Sequence, residues 1–123
     1  MKFLMIMRAD DRTRQGLPPD PRMIEASIEA EKVSRKEGKM IVTGGLGWST
    51  PAARLTLKKE ELTQIDGPFP ETKELIAGFA LMEHPSMEAA VAAGKAFLEL
   101  HRKVLGADAD STMEIHPVFT HDG

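Results

Sequence analysis

The 123-residue chain has no cysteine, no tyrosine and a single tryptophan. Without cysteine there is no disulfide, no thiolate nucleophile and no zinc or iron–sulfur site built on sulfur, and nothing in the composition points to an oxidising compartment. A cytoplasmic protein is the expectation. An excess of one charge is also missing: 16 Lys and Arg stand against 19 Asp and Glu, a net charge of −3 with both signs scattered along the chain. That balance leaves no basic footprint for nucleic acid or an anionic membrane surface. Long apolar runs are lacking too. The opening Met1-Lys2-Phe3-Leu4-Met5-Ile6-Met7-Arg8 is interrupted by charge too soon for a signal peptide, and no later segment approaches a membrane span. No Gly-x-Ser-x-Gly, phosphate-binding loop or dinucleotide fingerprint occurs, so nucleotide and serine-nucleophile chemistry lose support and no cofactor is expected. What is present suits one core: 41% of residues are apolar, and eight methionines fill irregular interior space that aromatic residues usually share. Residues 1–123 therefore read as a single domain.

Phe3 to Met7 is continuously apolar between Lys2 and Arg8, the pattern of a central strand buried on both faces. Asp10 to Pro19 reads as a long polar loop. Asp20-Pro21 then opens a helix, with an oxygen acceptor at the N-cap and a ring lacking an N–H at the first helical position, and Gly38 closes it. Its spacing predicts a buried stripe of Met23, Ala26, Ala30 and Val33 opposite Glu25, Glu29, Lys32 and Lys36. Ile41-Val42 leads into Gly44-Gly45-Leu46-Gly47-Trp48, where glycines imply a bend or close backbone approach. Arg54 to Lys58 alternates, Lys59-Glu60-Glu61 turns and Leu62 to Ile65 resumes, predicting a hairpin. Ala77 to Met82 predicts another central strand. Ser86 caps a second helix carrying Met87, Ala90, Val91, Gly94, Phe97, Leu98 and His101 on one face, and Met113 to Phe119 forms a last strand.

Two helices separated by hairpin strands, with strands at both ends, predict an α+β, ferredoxin-like split βαβ fold with both helices on one face of an antiparallel sheet. The apolar central strand then calls for cover on the bare face, and a second copy of the chain would supply it. At Asp66-Gly67-Pro68-Phe69-Pro70-Glu71-Thr72-Lys73-Glu74 the sequence resembles the YCII-related family, and within it the DGPF branch. The opening Phe3 to Asp10, Glu74 to Phe79 and Glu114 to Phe119 also fall where that family has similar runs. The resemblance implies a ferredoxin-like fold pairing into a dimeric α/β barrel, hence a homodimer. It implies little about activity, since such barrels host isomerases and lyases of small ring compounds, haem-handling proteins and ligand-binding modules alike. Two departures stand out: His116 where the family commonly has Arg, and Trp48 in place of a polar loop.

The proline-stiffened Asp66 to Pro70 segment is the first candidate site. Asp66 there could take a proton from a small-molecule substrate, with His84 or His116 as a base oriented by its carboxylate. The local alternative is a turn in which Asp66 bonds neighbouring backbone N–H groups and Phe69 plugs the core. Phe69, Glu71, Lys73 and the strand-end Arg8 are candidate substrate-binding residues, against which stands an ordinary solvated surface. No two of His84, His101, His116 and His121 have metal-ligand spacing, so no metal is expected. His101 reads as a helix C-terminal residue meeting the dipole, and His121 as part of a fraying tail. Two functions follow: an acid–base enzyme of isomerase or lyase type acting beside the DGPF segment, or a non-catalytic ligand-binding or regulatory module. A pocket holding Asp66 within hydrogen-bond reach of His84 or His116 marks the first. One lined by Met and Phe marks the second.

Overall fold

The computed structural model describes residues 1–46, 52–67 and 76–121. Trp48, Phe69, Glu71 and Lys73 lie outside the described residues. Strand β1 (Lys2–Arg8) occupies the interior of a four-stranded antiparallel sheet ordered β2-β5-β1-β6, with β2 spanning Met40–Gly45, β5 Ile76–Glu83 and β6 Met113–Val118. Register explains which side chains share a face. Phe3 lies opposite Met82 and Pro117, Met5 opposite Ala80 and Ile115, and Met7 opposite Gly78 and Met113. Because side chains alternate along a strand, this set points one way and Leu4, Ile6, Phe79, Leu81 and His116 point the other. Helices α2 (Pro21–Lys36) and α3 (Met87–Leu105) are the crossovers, which completes a ferredoxin-like α+β arrangement.

The core forms on the helix side, where Phe3, Met5, Met82 and Ala90 are buried and Met40, Ala80, Ala93, Met113 and Ile115 pack against them. The strand is not sealed on both faces as its composition implied: Leu4 and Ile6 are only half-buried on the opposite side. Gly94 of α3 makes the helix–sheet contact close, since a Cβ there would stand 2.9 Å from Met113 Sδ and 3.0 Å from Ile115 Cδ1. Gly44 serves the sheet in the same way, its missing Cβ leaving room for the Phe79 ring.

The capping signals act as read. The Asp20 carboxylate accepts from Arg22 N–H at 2.9 Å with Pro21 at the first helical position, and Ser86 Oγ accepts from Ala89 N–H at 3.1 Å. Gly38 takes φ +72° just past α2. Three readings need correction. The Asp10–Pro19 loop contains a short helix, α1 (Asp11–Arg14), because Asp10 accepts from Thr13 N–H at 2.7 Å and so acts as an N-cap. In α2, Val33 is 55% exposed and the inward stripe passes instead through Met23, Ala26, Ser27, Ala30 and Ser34. Met87 likewise sits at the exposed start of α3.

The predicted hairpin is a separate two-stranded sheet, β3 (Ala53–Lys58) with β4 (Glu61–Asp66), and Gly67 N–H donates to Ala52 O to extend its ladder. Every residue of both strands is exposed. Its turn residues Lys59 and Glu60 both have positive φ, at 50° and 68°.

Candidate functional site

The shape of the site follows from the inward face of α2. Ser27, Ala30 and Ser34 are too small to fill the space between that helix and a sheet face carrying Met5, Met7, Met40 and Met82. A cleft of about 360 Å³ remains, closed at its far side by Ala93, Phe97 and His101 of α3 and by Met113. Its size and largely apolar wall are those of a small-molecule site. Two of its polar groups are already engaged: Thr43 Oγ1 donates to Phe79 O at 2.9 Å, and the Glu31 carboxylate accepts from Arg35 Nε at 2.9 Å.

His101 is different. It is 92% buried, at 8% exposure, and its ring meets Phe97 edge-to-face with centroids 4.8 Å apart. Its Nδ1 lies 2.9 Å from Phe97 O, and a carbonyl oxygen can only accept, so Nδ1 carries the proton. That tautomer leaves Nε2 with its lone pair free in the neutral ring. Among the described residues nothing hydrogen-bonds Nε2, and it is not sealed in protein as the Nε2 of His84 is. His101 lines the apolar cleft and two neighbouring ones, so its Nε2 is an uncommitted acceptor where the three meet.

A second, more polar cleft of about 460 Å³ adjoins the first. Its lining includes Asp10, Arg12, Asp20, Asp108 and Asp110, and it shares Met7, Ala77 and His101 with the apolar cleft. The two are therefore neighbours across one wall, with His101 at the junction. Asp20 is held by Arg22, whose bonds keep its carboxyl pKa at about 2.

Of the residues singled out in the sequence, Arg8 lines the polar cleft, and the other described ones fall elsewhere. Asp66 ends β4 as an exposed residue whose Oδ1 accepts from Gln64 Nε2 at 3.2 Å. Among the described residues neither His84 nor His116 is bonded to it, and neither cleft is lined by any of the three. His84 follows β5 and is buried at 4% exposure, its ring centroid 6.5 Å from that of Phe3 and its Nε2 without a partner. Burial pushes its pKa down, and the positive charge of Lys39 adds to the effect. His116 lies on the opposite face of the sheet, opposite Leu4, with Nε2 3.9 Å from Glu114 Oε2. Arg8 Nη2 donates to both Glu114 carboxylate oxygens, at 2.6 and 2.7 Å, and that charge-assisted contact holds the Glu114 carboxyl below the usual carboxylate range. Among the described residues no group of three His, Asp or Glu side chains is placed to hold a metal ion.

With this geometry in place, comparison with known families adds one finding. The model of the YCII-related domain matches residues 1–97, and the chain belongs to that family. No curated protein matches the chain. The matched stretch includes β1, α2, β2 and β5 and ends within α3, so His101, Asp108 and Asp110 lie beyond it. Among the described residues no helix is long and apolar enough to cross a membrane.

His101 is the residue that sequence reasoning assigned only to the helix dipole. The signal that could have found it is the small-residue stripe of α2 facing methionine strands, which predicts a gap beside whatever α3 presents there.

Proposed function

We propose that this YCII-related protein, of the DGPF branch, binds a small molecule in the apolar cleft between α2, α3 and the sheet, working as a cytoplasmic homodimer. One observation carries the ligand reading: a cleft of about 360 Å³ walled by five methionines and Phe97, with a nine-tenths-buried histidine in its wall. Adaptable thioether side chains suit ring-bearing and irregular ligands. The dimer reading rests on the uncovered sheet face, where Leu4, Ile6, Phe79, Leu81 and Val42 are available to a second copy.

The neutral probe 2-naphthylmethanol tests the cleft by calorimetric titration. Binding is expected, and Ala30→Phe, which projects a ring into the gap, is expected to weaken it at least tenfold while leaving the melting temperature of the free protein within a few degrees. Absence of binding to the unaltered protein, or equal binding to the variant, refutes the site.

A second reading, acid–base chemistry of isomerase or lyase type, is favoured by the uncommitted Nε2 of His101 beside a largely water-excluding wall. Asp66, His84 and His116 do not enter it, because their described contacts bring them neither to one another nor to the cleft. Among the described residues no carboxylate is bonded to the His101 ring, so the orienting group is the Phe97 carbonyl. Replacement His101→Gln, which keeps a polar side chain, separates the two readings: a binding protein retains its ligand affinity within a few-fold, whereas an enzyme loses turnover by roughly a hundredfold or more.

A further inference from the structure

The β3–β4 hairpin carries an apolar face that its own chain leaves open. Cross-strand register pairs Leu57 with Leu62, Leu55 with Gln64 and Ala53 with Asp66, and alternation puts these six on one face. Arg54, Lys58 and Glu61 lie on the other. Leu55, Leu57 and Leu62 are 70%, 69% and 75% exposed, and every residue of both strands is exposed. A two-stranded ribbon alone is marginal in water, and a contiguous leucine face open to solvent marks an interaction surface.

The same chain has a second open surface of matching dimensions. Val42 of β2, Phe79 and Leu81 of β5, and Leu4 and Ile6 of β1 share the sheet face turned away from the helices. The strands under this strip are six to eight residues long, and those of the hairpin are six. In a pair of chains related by a twofold axis, each hairpin laid on the other copy's sheet covers both surfaces of both chains with one kind of contact. Sheet on sheet leaves the hairpins open, and hairpin on hairpin leaves the sheets open. The area is sufficient: three leucines this exposed present on the order of 400 Å² per hairpin, so two hairpins and the two strips beneath them hide about 1,600 Å², the size of a standard stable interface. Charge agrees. Asp66 is the one charged residue on the leucine face, and the strip is bordered by Arg8 and His116 with Glu114 between them.

We propose that the β3–β4 hairpin is an exchanged arm, its leucine face packed on the uncovered sheet face of a second copy of this chain, with the partner's arm returning the contact. This rests on the homodimer reading and names the element that makes the dimer. Because the chain has no cysteine, crosslinking can be directed to chosen positions. A chain carrying both Leu57→Cys and Leu81→Cys, treated with a short bismaleimide, is expected to give covalent pairs, and each single variant is not. Pairs from Leu57→Cys alone would place hairpin on hairpin, pairs from Leu81→Cys alone would place sheet on sheet, and no pairs from the double variant would leave the arm unplaced; each overturns the proposal. In light scattering, Leu55→Ser combined with Leu57→Ser and Leu62→Ser is expected to weaken pairing at least a hundredfold while a cooperative thermal transition is kept. A triple variant that pairs as the parent does overturns the arm and leaves the homodimer standing. A single-chain mass for the unaltered protein overturns both.

Discussion

His84 is the one buried side chain whose polar atom has no partner among the described residues. An orphaned buried nitrogen of this kind costs about 1–3 kcal/mol relative to an apolar side chain of similar shape. His84→Leu is therefore expected to raise stability by about 1 kcal/mol at pH 8, measured by urea unfolding. The pH dependence has a definite sign. Folding lowers the His84 pKa below its ordinary 6.5, so as pH falls through that value the unfolded chain binds a proton that the folded chain refuses. Its contribution is full above pH 6.5 and declines below it. Melting curves from pH 8 to pH 5 should show a downward slope in the parent that is shallower in His84→Leu; equal slopes would show that another group controls acid sensitivity. Arg8 and Glu114 act at the same scale. The contact from Arg8 Nη2 to both Glu114 oxygens ties the end of β1 to β6, and Glu114→Gln is expected to loosen that corner, read as faster amide exchange at Arg8, whose N–H donates to Thr112 O at 2.9 Å.

Single elements show where sequence patterns carried through to structure and where they stopped. The two long helices were legible because Asp20-Pro21, Gly38 and Ser86 are local devices whose effect does not depend on the rest of the chain. Strands β1 and β5 were legible from continuous apolar runs. The inward face of α2 was not, because Ser27 and Ser34 look solvent-facing by composition, and only the tertiary gap beside the methionines places them inside. Asp66 drew attention for its motif, whereas His101 looked like one more residue on a helical stripe. Helix α3 itself yields a sharp expectation. Gly94→Val is expected to destabilise by about 2 kcal/mol, because its branches collide with Met113 and Ile115 and outweigh the helix-propensity gain over glycine. The hairpin gives the opposite sign. Lys59 and Glu60 occupy left-handed geometry that disfavours ordinary side chains, so Lys59→Asn with Glu60→Gly should stabilise the turn by about 1 kcal/mol. Since β3 and β4 form a sheet of their own, the gain should appear as slower amide exchange within them while the melting temperature of the main sheet stays nearly constant.

At the scale of the whole molecule, the helices leave one face of the sheet with partly buried Leu4, Ile6, Phe79 and Leu81. A second copy packed there predicts a light-scattering mass near twice 13.5 kDa at micromolar concentration, and Phe79→Asp should shift it to the single-chain value. A single-chain mass for the unaltered protein would refute the homodimer without touching the cleft. The position of β1 also has a consequence in time. Strand β1 is made before both of its neighbours in the finished sheet, β5 and β6, so Phe3 meets Met82 on one side and Pro117 on the other. Neither neighbour exists until most of the chain has been made. Closing contacts so distant along the chain makes folding slow, and it leaves an apolar segment awaiting partners throughout synthesis. A nascent chain halted before Met113 would hold β1 as an open sheet edge, ready to pair with any other unfinished chain.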